Sequence, residues 1–192
     1  MTNETQTRSG VGGFARPIEF LVATSKVLGF AILLALSAKL SFPIPGTPVP
    51  ATLQVLVVLL SGALLGPWGG ACTVLTYLAA GIAGAPVFAL GGGPSYLMGP
   101  TGGYLIGFLP AAWMAGFLAR RAHGLWTLFG AFALASALIH LFGWAQLSAL
   151  SGPEMALEMG VFPFIAVDLL KSLLAAVLVR SVARRAKGEA HG

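Results

Sequence analysis

Asp168 and Lys171 are the two residues of this sequence best suited to hold a polar ligand. They stand three positions apart in an otherwise apolar stretch, so a helix presents both side chains on one face. A lone charge inside a membrane costs at least about 2.5–3.5 kcal/mol, and an inward-facing pair offsets part of this cost. A carboxylate beside an ammonium suits a neutral, urea-like group with N–H donors and a C=O acceptor. A plain salt bridge that fixes helix register is the alternative.

Further candidates interrupt apolar segments at predicted loop and helix boundaries. Thr52 and Gln54 open a predicted helix, where Thr52 has an alternative role as a helix cap. Phe88 offers an aromatic platform, and the backbone amides around Gly92 and Gly93 are predicted to be exposed and able to receive a carboxylate. These residues add hydrogen-bonding groups and an apolar surface to the charged pair.

The remaining candidates are polar aromatic residues and hydroxyls near predicted helix starts. Thr101 and Tyr104 enter one helix within a glycine-rich stretch that also favours close helix packing. Tyr96 lies in the preceding loop, and His140 is interpreted as a core or ligand-lining histidine. The full set of predicted ligand-binding residues is Asp168, Lys171, Gln54, Thr52, Phe88, Gly92, Gly93, Tyr96, Thr101, Tyr104 and His140.

Catalytic and metal-binding patterns are not found in the sequence. Cys72 is the single cysteine, and no other histidine or cysteine lies near His140 in sequence. No Ser-His-Asp, HExxH or paired-carboxylate arrangement appears, and no GxxxxGK[ST] loop is present. We therefore expect neither an enzyme nor a cofactor site, and ATP hydrolysis would need a partner.

The composition indicates that a membrane holds these residues in place. Hydrophobic residues make up 57% of the 192 residues and charged residues 9%, whereas soluble domains carry about 25% charged residues. From Ser41 to Ala119 there is no Asp, Glu, Lys, Arg or His, and between Gly124 and Pro153 only His140 is ionisable. These stretches are apolar on every face, which predicts an all-α membrane protein.

Six transmembrane helices are predicted, separated by proline and glycine. Pro43 to Pro50 form an extended connection, and Gly66-Pro67 form a tight turn between two of the segments. The sequence thus predicts a polar tail at 1–16, one transmembrane domain at 17–187 and a short tail at 188–192. The predicted spans are 18–40, 51–66, 69–84, 100–119, 125–150 and 161–183.

The positive charges predict the orientation of this bundle. With six spans, the three basic clusters fall on one side, which by the positive-inside rule is the cytoplasm, so both termini are expected there. This distribution along membrane segments argues against nucleic-acid binding, despite a net charge of +5. Lys39 is expected to extend to the opposite interface. The clusters are Arg8, Arg16 and Lys26; Arg120 and Arg121; and Arg180, Arg184, Arg185 and Lys187.

Five short motifs, in order, resemble the BioY family, the biotin-specific S components of energy-coupling-factor (ECF) transporters. The resemblance covers the membrane part from about Ala31 to Ala183. One departure is Ala166-Val167, where the family usually has Pro-Gly, and another is the lack of a cation in 85–99. The motifs are Val49-Pro50-Ala51-Thr52-Leu53-Gln54, Gly62-Ala63-Leu64-Leu65-Gly66-Pro67, Gly84-Ala85-Pro86-Val87-Phe88, Gly99-Pro100-Thr101-Gly102-Gly103-Tyr104, and Pro163-Phe164 with Asp168 and Lys171.

This resemblance implies a six-helix S-component bundle in the cytoplasmic membrane of a prokaryote, surrounded by lipid. It implies biotin as the transported ligand without a cofactor, and Asp168 and Lys171 as the groups that engage its ureido ring. The implied partners are a transmembrane coupling subunit, contacted through Ala31 and Ala35, and ATP-binding cassette ATPases. The spacing of these alanines equally suits internal packing. Self-association stays possible.

Two alternatives remain open at the level of sequence. One is an S component for another vitamin, and the other is an ion-coupled carrier that uses Asp168 as a relay.

Overall fold

The computed structural model describes residues 15–189 of the chain, which are mostly helical. Five of the helices are long and apolar enough to cross a membrane, as judged by length and composition. The prediction of a mostly helical protein with several apolar spans is therefore confirmed. The elements in chain order are α1 Ala15–Lys39, β1 Ser41–Phe42, β2 Ala51–Thr52, α2 Gln54–Ile82, α3 Pro94–Leu97, α4 Gly102–Ala119, α5 Leu125–Ser151, α6 Pro153–Gly160 and α7 Phe162–Glu189.

Helix α2 is broken in the middle. Gly66 has φ 81° and ψ 174°, a conformation that only glycine adopts readily, and Pro67 has no N–H to continue the helical hydrogen bonding. The predicted turn at Gly66-Pro67 is thus a change of direction between two helical halves, residues 54–65 and 67–82.

The two halves of α2 form an antiparallel helical hairpin. A Cβ added to Gly70 would lie 2.6 Å from the Cα of Gly62, which places the two backbones in contact. Near the open end, Gln54 Nε2 lies 2.8 Å from the hydroxyl of Tyr77. In a continuous helix these two residues would be roughly 34 Å apart, at a rise of about 1.5 Å per residue. The halves correspond to the predicted segments 51–66 and 69–84.

Helix α4 packs between the α2 hairpin and α5, while α7 closes the bundle against α5 and α2. Glycines allow the close approach of α4 to the hairpin, since a Cβ on Gly116 would lie 2.6 Å from the nitrogen of Pro67. Fully buried side chains such as Leu59, Val74 and Phe132 fill the space between these helices. The bundle core is therefore built around the hairpin.

Helix α1 lies at the edge of the bundle and packs mainly against α2. Ala31 is buried in the core and Ala35 is half-buried, whereas Ile32 and Leu36 are exposed. The small-residue face of α1 therefore contacts the same chain. Ala31 and Ala35 thus take part in packing within the chain, and the predicted partner interface at these two residues stays a prediction.

The connections at one end of the bundle contain short ordered elements. Strands β1 and β2 bracket the predicted extended segment 41–50 as an antiparallel pair, with Ser41 opposite Thr52. Helix α6, which was not predicted, follows Gly152 after α5. Helix α7 continues to Glu189, past the predicted domain boundary at residue 187. Most of the predicted N-terminal tail lies outside the described residues.

Basic residues gather at the opposite end of the bundle, which we call the basic end. A side chain on Gly66, at the tip of the hairpin, would contact the guanidinium of Arg120. Arg180 and Arg184 of α7 line a cavity together with His123, which follows α4. The predicted clusters around 120 and 180 are thus close in space, although they are about 60 residues apart in sequence.

Candidate ligand-binding site

Asp168 lies between two cationic or potentially cationic side chains. Its Oδ1 accepts a hydrogen bond of 2.7 Å from Lys171 Nζ, one turn along α7. Its Oδ2 lies 3.0 Å from His140 Nε2 on α5, although the ring is not aligned for a good hydrogen bond. Asp168 is 4% exposed and Lys171 7% exposed, so both are buried. The helical spacing brings Lys171 to Asp168, whereas the packing of α5 on α7 brings His140.

These three residues form part of the wall of a cavity between α2, α4, α5 and α7. Its empty volume, including the space that is open to solvent, is about 550 Å³. Eight of the eleven predicted ligand-binding residues line it: Asp168, Lys171, Gln54, Thr52, Tyr96, Thr101, Tyr104 and His140. Apolar residues complete the lining, chiefly Val55, Leu105, Phe108, Ile139 and Phe164.

Gln54 is held at the cavity by hydrogen bonds on both ends of its amide. Its Nε2 donates to the Tyr77 hydroxyl at 2.8 Å, and its Oε1 accepts from Thr52 Oγ1 at 3.1 Å. The Tyr77 hydroxyl in turn lies 3.3 Å from the carbonyl of Val87, to which it can donate. Because the Tyr77 hydroxyl donates its hydrogen to the Val87 carbonyl, it can only accept a hydrogen bond from Gln54. The NH₂ group of the Gln54 amide therefore faces Tyr77, and the orientation of the amide is fixed.

Tyr104 is anchored from the far side of the site. Its hydroxyl donates to the carbonyl of Gly160 at 2.7 Å, so α6 is tied to α4. The ring of Tyr104 packs where a side chain on Gly143 would otherwise lie. Tyr104 thus presents mainly its ring to the cavity, because its hydroxyl is already hydrogen-bonded to Gly160.

Phe88, Gly92 and Gly93 are predicted site residues that do not line the cavity. Phe88 is fully buried between the rings of Tyr77 and Tyr96, at centroid distances of 5.4 and 5.0 Å. The Gly93 amide donates to the carbonyl of Gly81 at 2.7 Å, and Gly92 packs on the backbone of Ala85. Phe88 and the Gly93 amide are therefore used in packing this loop on α2, and the predicted aromatic platform and carboxylate-binding amides stay predictions.

Tyr77 and most of the apolar lining were missed from the sequence. Tyr77 lies in the second half of α2 and reaches Gln54 only because the chain reverses at Gly66. Two of these apolar residues could have been recognised as site residues from their spacing. Phe164 stands four residues before Asp168, and Phe108 stands four residues after Tyr104. Such spacing places them on the same helix faces.

A second cavity borders Asp168 from another side. His140 and Asp168 also line this cavity, which lies between α5 and α7 and includes Ser136. Ser136 is 4% exposed, and its hydroxyl has no hydrogen-bond partner among the described residues. Asp168 therefore has polar neighbours on both of its faces.

The arrangement suits the binding of a neutral polar group joined to an apolar body. Asp168 and Lys171 together carry no net charge, and each keeps hydrogen-bonding capacity beyond their mutual bond. The rest of the lining is largely apolar, with single polar groups at Gln54, Thr101 and Tyr96. Among the residues whose side chains are described, no group of three or more His, Cys, Asp or Glu could hold a metal ion.

The chain is similar in sequence to one family of known proteins. The sequence profile described as the BioY family matches residues 14–188. A probable biotin transporter BioY of Pyrococcus horikoshii is 39% identical over 155 residues, which are 80% of this chain and 91% of that protein. The biotin transporter BioY of Thermotoga maritima is 36% identical over 151 residues, covering 78% and 88% of the two chains.

A solved structure has a similar fold. The crystal structure of the S-component for biotin from an ECF-type ABC transporter superposes with a TM-score of 0.79 and 26% sequence identity. The match covers 86% of this chain and 93% of that chain.

Proposed function

Because the chain belongs to the BioY family, we propose that it is the biotin-binding S component of an ECF-type transporter. The cavity beside Asp168 and Lys171 is the proposed biotin site. The observation that carries this proposal is the convergence of a buried, net-neutral ion pair and an apolar lining in one cavity. The protein is a membrane transport subunit and not an enzyme.

The ureido ring of biotin matches the charged pair. It is neutral, and it carries two N–H donors and one carbonyl acceptor. In the proposed complex, Asp168 accepts an N–H bond and Lys171 donates to the ring carbonyl, so neither charge loses its neutralising partner. This matters because a buried charge without a partner costs several kcal/mol. A ligand with a full charge at this end would disturb that balance.

The body of biotin matches the remaining lining. Its thioether ring and four-carbon chain are apolar, and Phe108, Ile139 and Phe164 supply an apolar surface beside the pair. Gln54, with its fixed amide, and the Thr101 hydroxyl supply the few polar groups that orient a ligand in such sites. The site thus distinguishes biotin by its head group and by its apolar body together.

Transport driven by ATP would require partners, because the sequence holds no nucleotide-binding loop. The proposed partners are the coupling subunit and the ATP-binding cassette ATPases of an ECF-type assembly. This proposal is supported by the similarity to an S component from such a transporter. The proposed location is the cytoplasmic membrane of a prokaryote.

Binding can be tested by isothermal titration calorimetry of the purified protein in lipid nanodiscs. We expect biotin to bind with one-to-one stoichiometry at nanomolar concentrations, and riboflavin and thiamine to give no signal. Binding of another vitamin in place of biotin would contradict the assignment. Biotin uptake that follows an ion gradient without any ATPase would contradict the proposed coupling.

The proposed topology has six spans, with each half of α2 crossing the membrane and the basic end in the cytoplasm. It is supported by the reversal at Gly66 and by the grouping of Arg120, Arg180 and Arg184 at one end.

Site-specific labelling in cells tests this topology. We expect tags at either terminus to react only after the cytoplasm is opened. The outward control is Pro45→Cys in a Cys72→Ser background, because Pro45 is exposed in the connection between β1 and β2, at the end opposite to the basic end. This cysteine should react in intact cells. Labelling of a terminus in intact cells would contradict six spans.

A further inference from the structure

We propose that Lys39 is the cation that receives the carboxylate of the ligand. This inference rests on the proposed function, since biotin carries a carboxylate at the end of its chain, opposite to the ureido ring. It adds a second charged contact to the site, in a residue that does not belong to the Asp168–Lys171 pair.

Lys39 lies next to the lining of the candidate cavity, although it is far from most of the cavity residues in sequence. It is the last residue of α1, and its Nζ donates to the carbonyl of Phe88 at 2.8 Å. Ala89, the next residue after Phe88, lines the cavity. The ring of Tyr96, which also lines the cavity, packs on that of Phe88 at 5.0 Å. The ammonium group is therefore one peptide unit from the cavity lining.

The loop beside the cavity cannot supply the charge itself. Residues 85–99 contain no ionisable side chain other than Tyr96. The amides of Gly91 and Gly93 donate to the carbonyls of Phe88 and Gly81, so they are already used. The Gly92 amide and the Ser95, Tyr96 and Thr101 side chains remain, but none of them carries a positive charge. A cation for a carboxylate at this end of the cavity must therefore come from another element.

Among the described cationic side chains, Lys39 is the one placed to bind the ligand carboxylate. Among residues 17–185, Lys171 is paired with Asp168, and Arg120, Arg180 and Arg184 lie at the basic end. Arg121 and Arg185 adjoin these in sequence, and Lys26 lines a groove with Leu64 and Leu65 near the hairpin tip.

Lys39 is also free to move to a ligand. Its side chain is exposed, and only one of its three N–H donors is used. A hydrogen bond between an ammonium and a carboxylate is stronger than one between an ammonium and a neutral carbonyl. The bond to Phe88 thus holds Lys39 beside the cavity lining, while two donors remain for the carboxylate.

The test compares biotin with biotinamide, which has the same shape but no charge. By calorimetry in nanodiscs, we expect the protein to prefer biotin over biotinamide by about fivefold, the upper value for an exposed ion pair. Lys39→Gln keeps a donor for the Phe88 carbonyl and removes the charge. It should lower biotin affinity by about fivefold and leave biotinamide affinity within about twofold. Lys39→Arg, the matched control, should keep the preference.

Three outcomes would overturn the proposal. The first is a Lys39→Gln variant that loses affinity for both ligands equally, because Lys39 would then only tie the loop to α1. The second is equal affinity of the unaltered protein for biotin and biotinamide, a result that does not depend on any variant folding. The third is failure of both ligands to bind the unaltered protein, which contradicts the proposed function as well and is thereby distinguished from the first two.

Discussion

Asp168→Asn is expected to lower biotin affinity by about one to two orders of magnitude. The substitution keeps the shape and one acceptor, but it removes the negative charge and leaves Lys171 as a buried cation without its partner. Charge-assisted hydrogen bonds contribute roughly 1.5–3 kcal/mol, which corresponds to about 10- to 150-fold in affinity. Lys171→Met should have a similar effect, because the ring carbonyl loses its donor. Calorimetry with biotin measures both.

The double variant Asp168→Asn with Lys171→Met separates ligand binding from a structural salt bridge. A structural bridge alone predicts recovery of binding, because the double variant contains no unpaired buried charge. If both groups hold the ligand, the double variant should bind biotin most weakly of the three. A folded double variant with nearly unaltered affinity would therefore exclude this pair as the site.

Ser172→Ala is the matched control for these variants. Ser172 is also fully buried on α7, but its hydroxyl donates to the backbone carbonyl of Asp168 and does not line the cavity. We expect biotin affinity within about threefold of the unaltered protein. A large loss in this control would show that any change to this part of α7 disturbs binding.

Gly62→Ala is expected to destabilise the protein strongly, although alanine is normally the better helix former. A Cβ at residue 62 would collide with the carbonyl oxygen of Ala112 on α4, and both groups belong to helix backbones that cannot move independently. Forced overpacking costs about 1–3 kcal/mol and sometimes more. For a chain of this size that lowers the melting temperature by about 2–12 °C. Thermal unfolding in detergent measures it.

Gly130→Ala is the control for this prediction. Gly130 lies in α5, and a Cβ added there meets no atom within 4 Å. Its substitution should leave the melting temperature unchanged or raise it slightly, because alanine in a helix is favoured over glycine by up to about 1 kcal/mol. Equal stability of the two variants would mean that the hairpin and α4 are not in tight contact.

The sequence predicted those parts of the site that depend on local spacing. Asp168 and Lys171 share a helix face at any packing, and a helix break at Gly66-Pro67 follows from the chemistry of the two residues. Gln54 was recognisable because an amide in an uncharged apolar segment needs a hydrogen-bonding partner. These features need only knowledge of the neighbouring residues in the chain.

The features that could not be predicted depend on contacts between distant segments. The partner of Gln54 is Tyr77, which the hairpin brings near, and the second neighbour of Asp168 is His140 on α5. Phe88 and Gly93 were interpreted as ligand contacts, because the sequence did not reveal that Gly81 receives the Gly93 amide. Ala31 was likewise open to two explanations, and its burial in the core shows the internal packing that the sequence could not place.

The break in α2 also affects the surrounding lipid. Residues 54–65 and 67–82 are 12 and 16 residues long, so at about 1.5 Å per residue the two halves rise only about 18 and 24 Å. A typical hydrocarbon core is about 30 Å thick. In the proposed six-span topology, the bilayer thins beside the hairpin or flanking side chains extend to the interface, at a cost of a fraction of a kcal/mol per ångström of mismatch. The length of the lipid acyl chains therefore becomes a determinant of this protein's stability, and shorter chains suit it better.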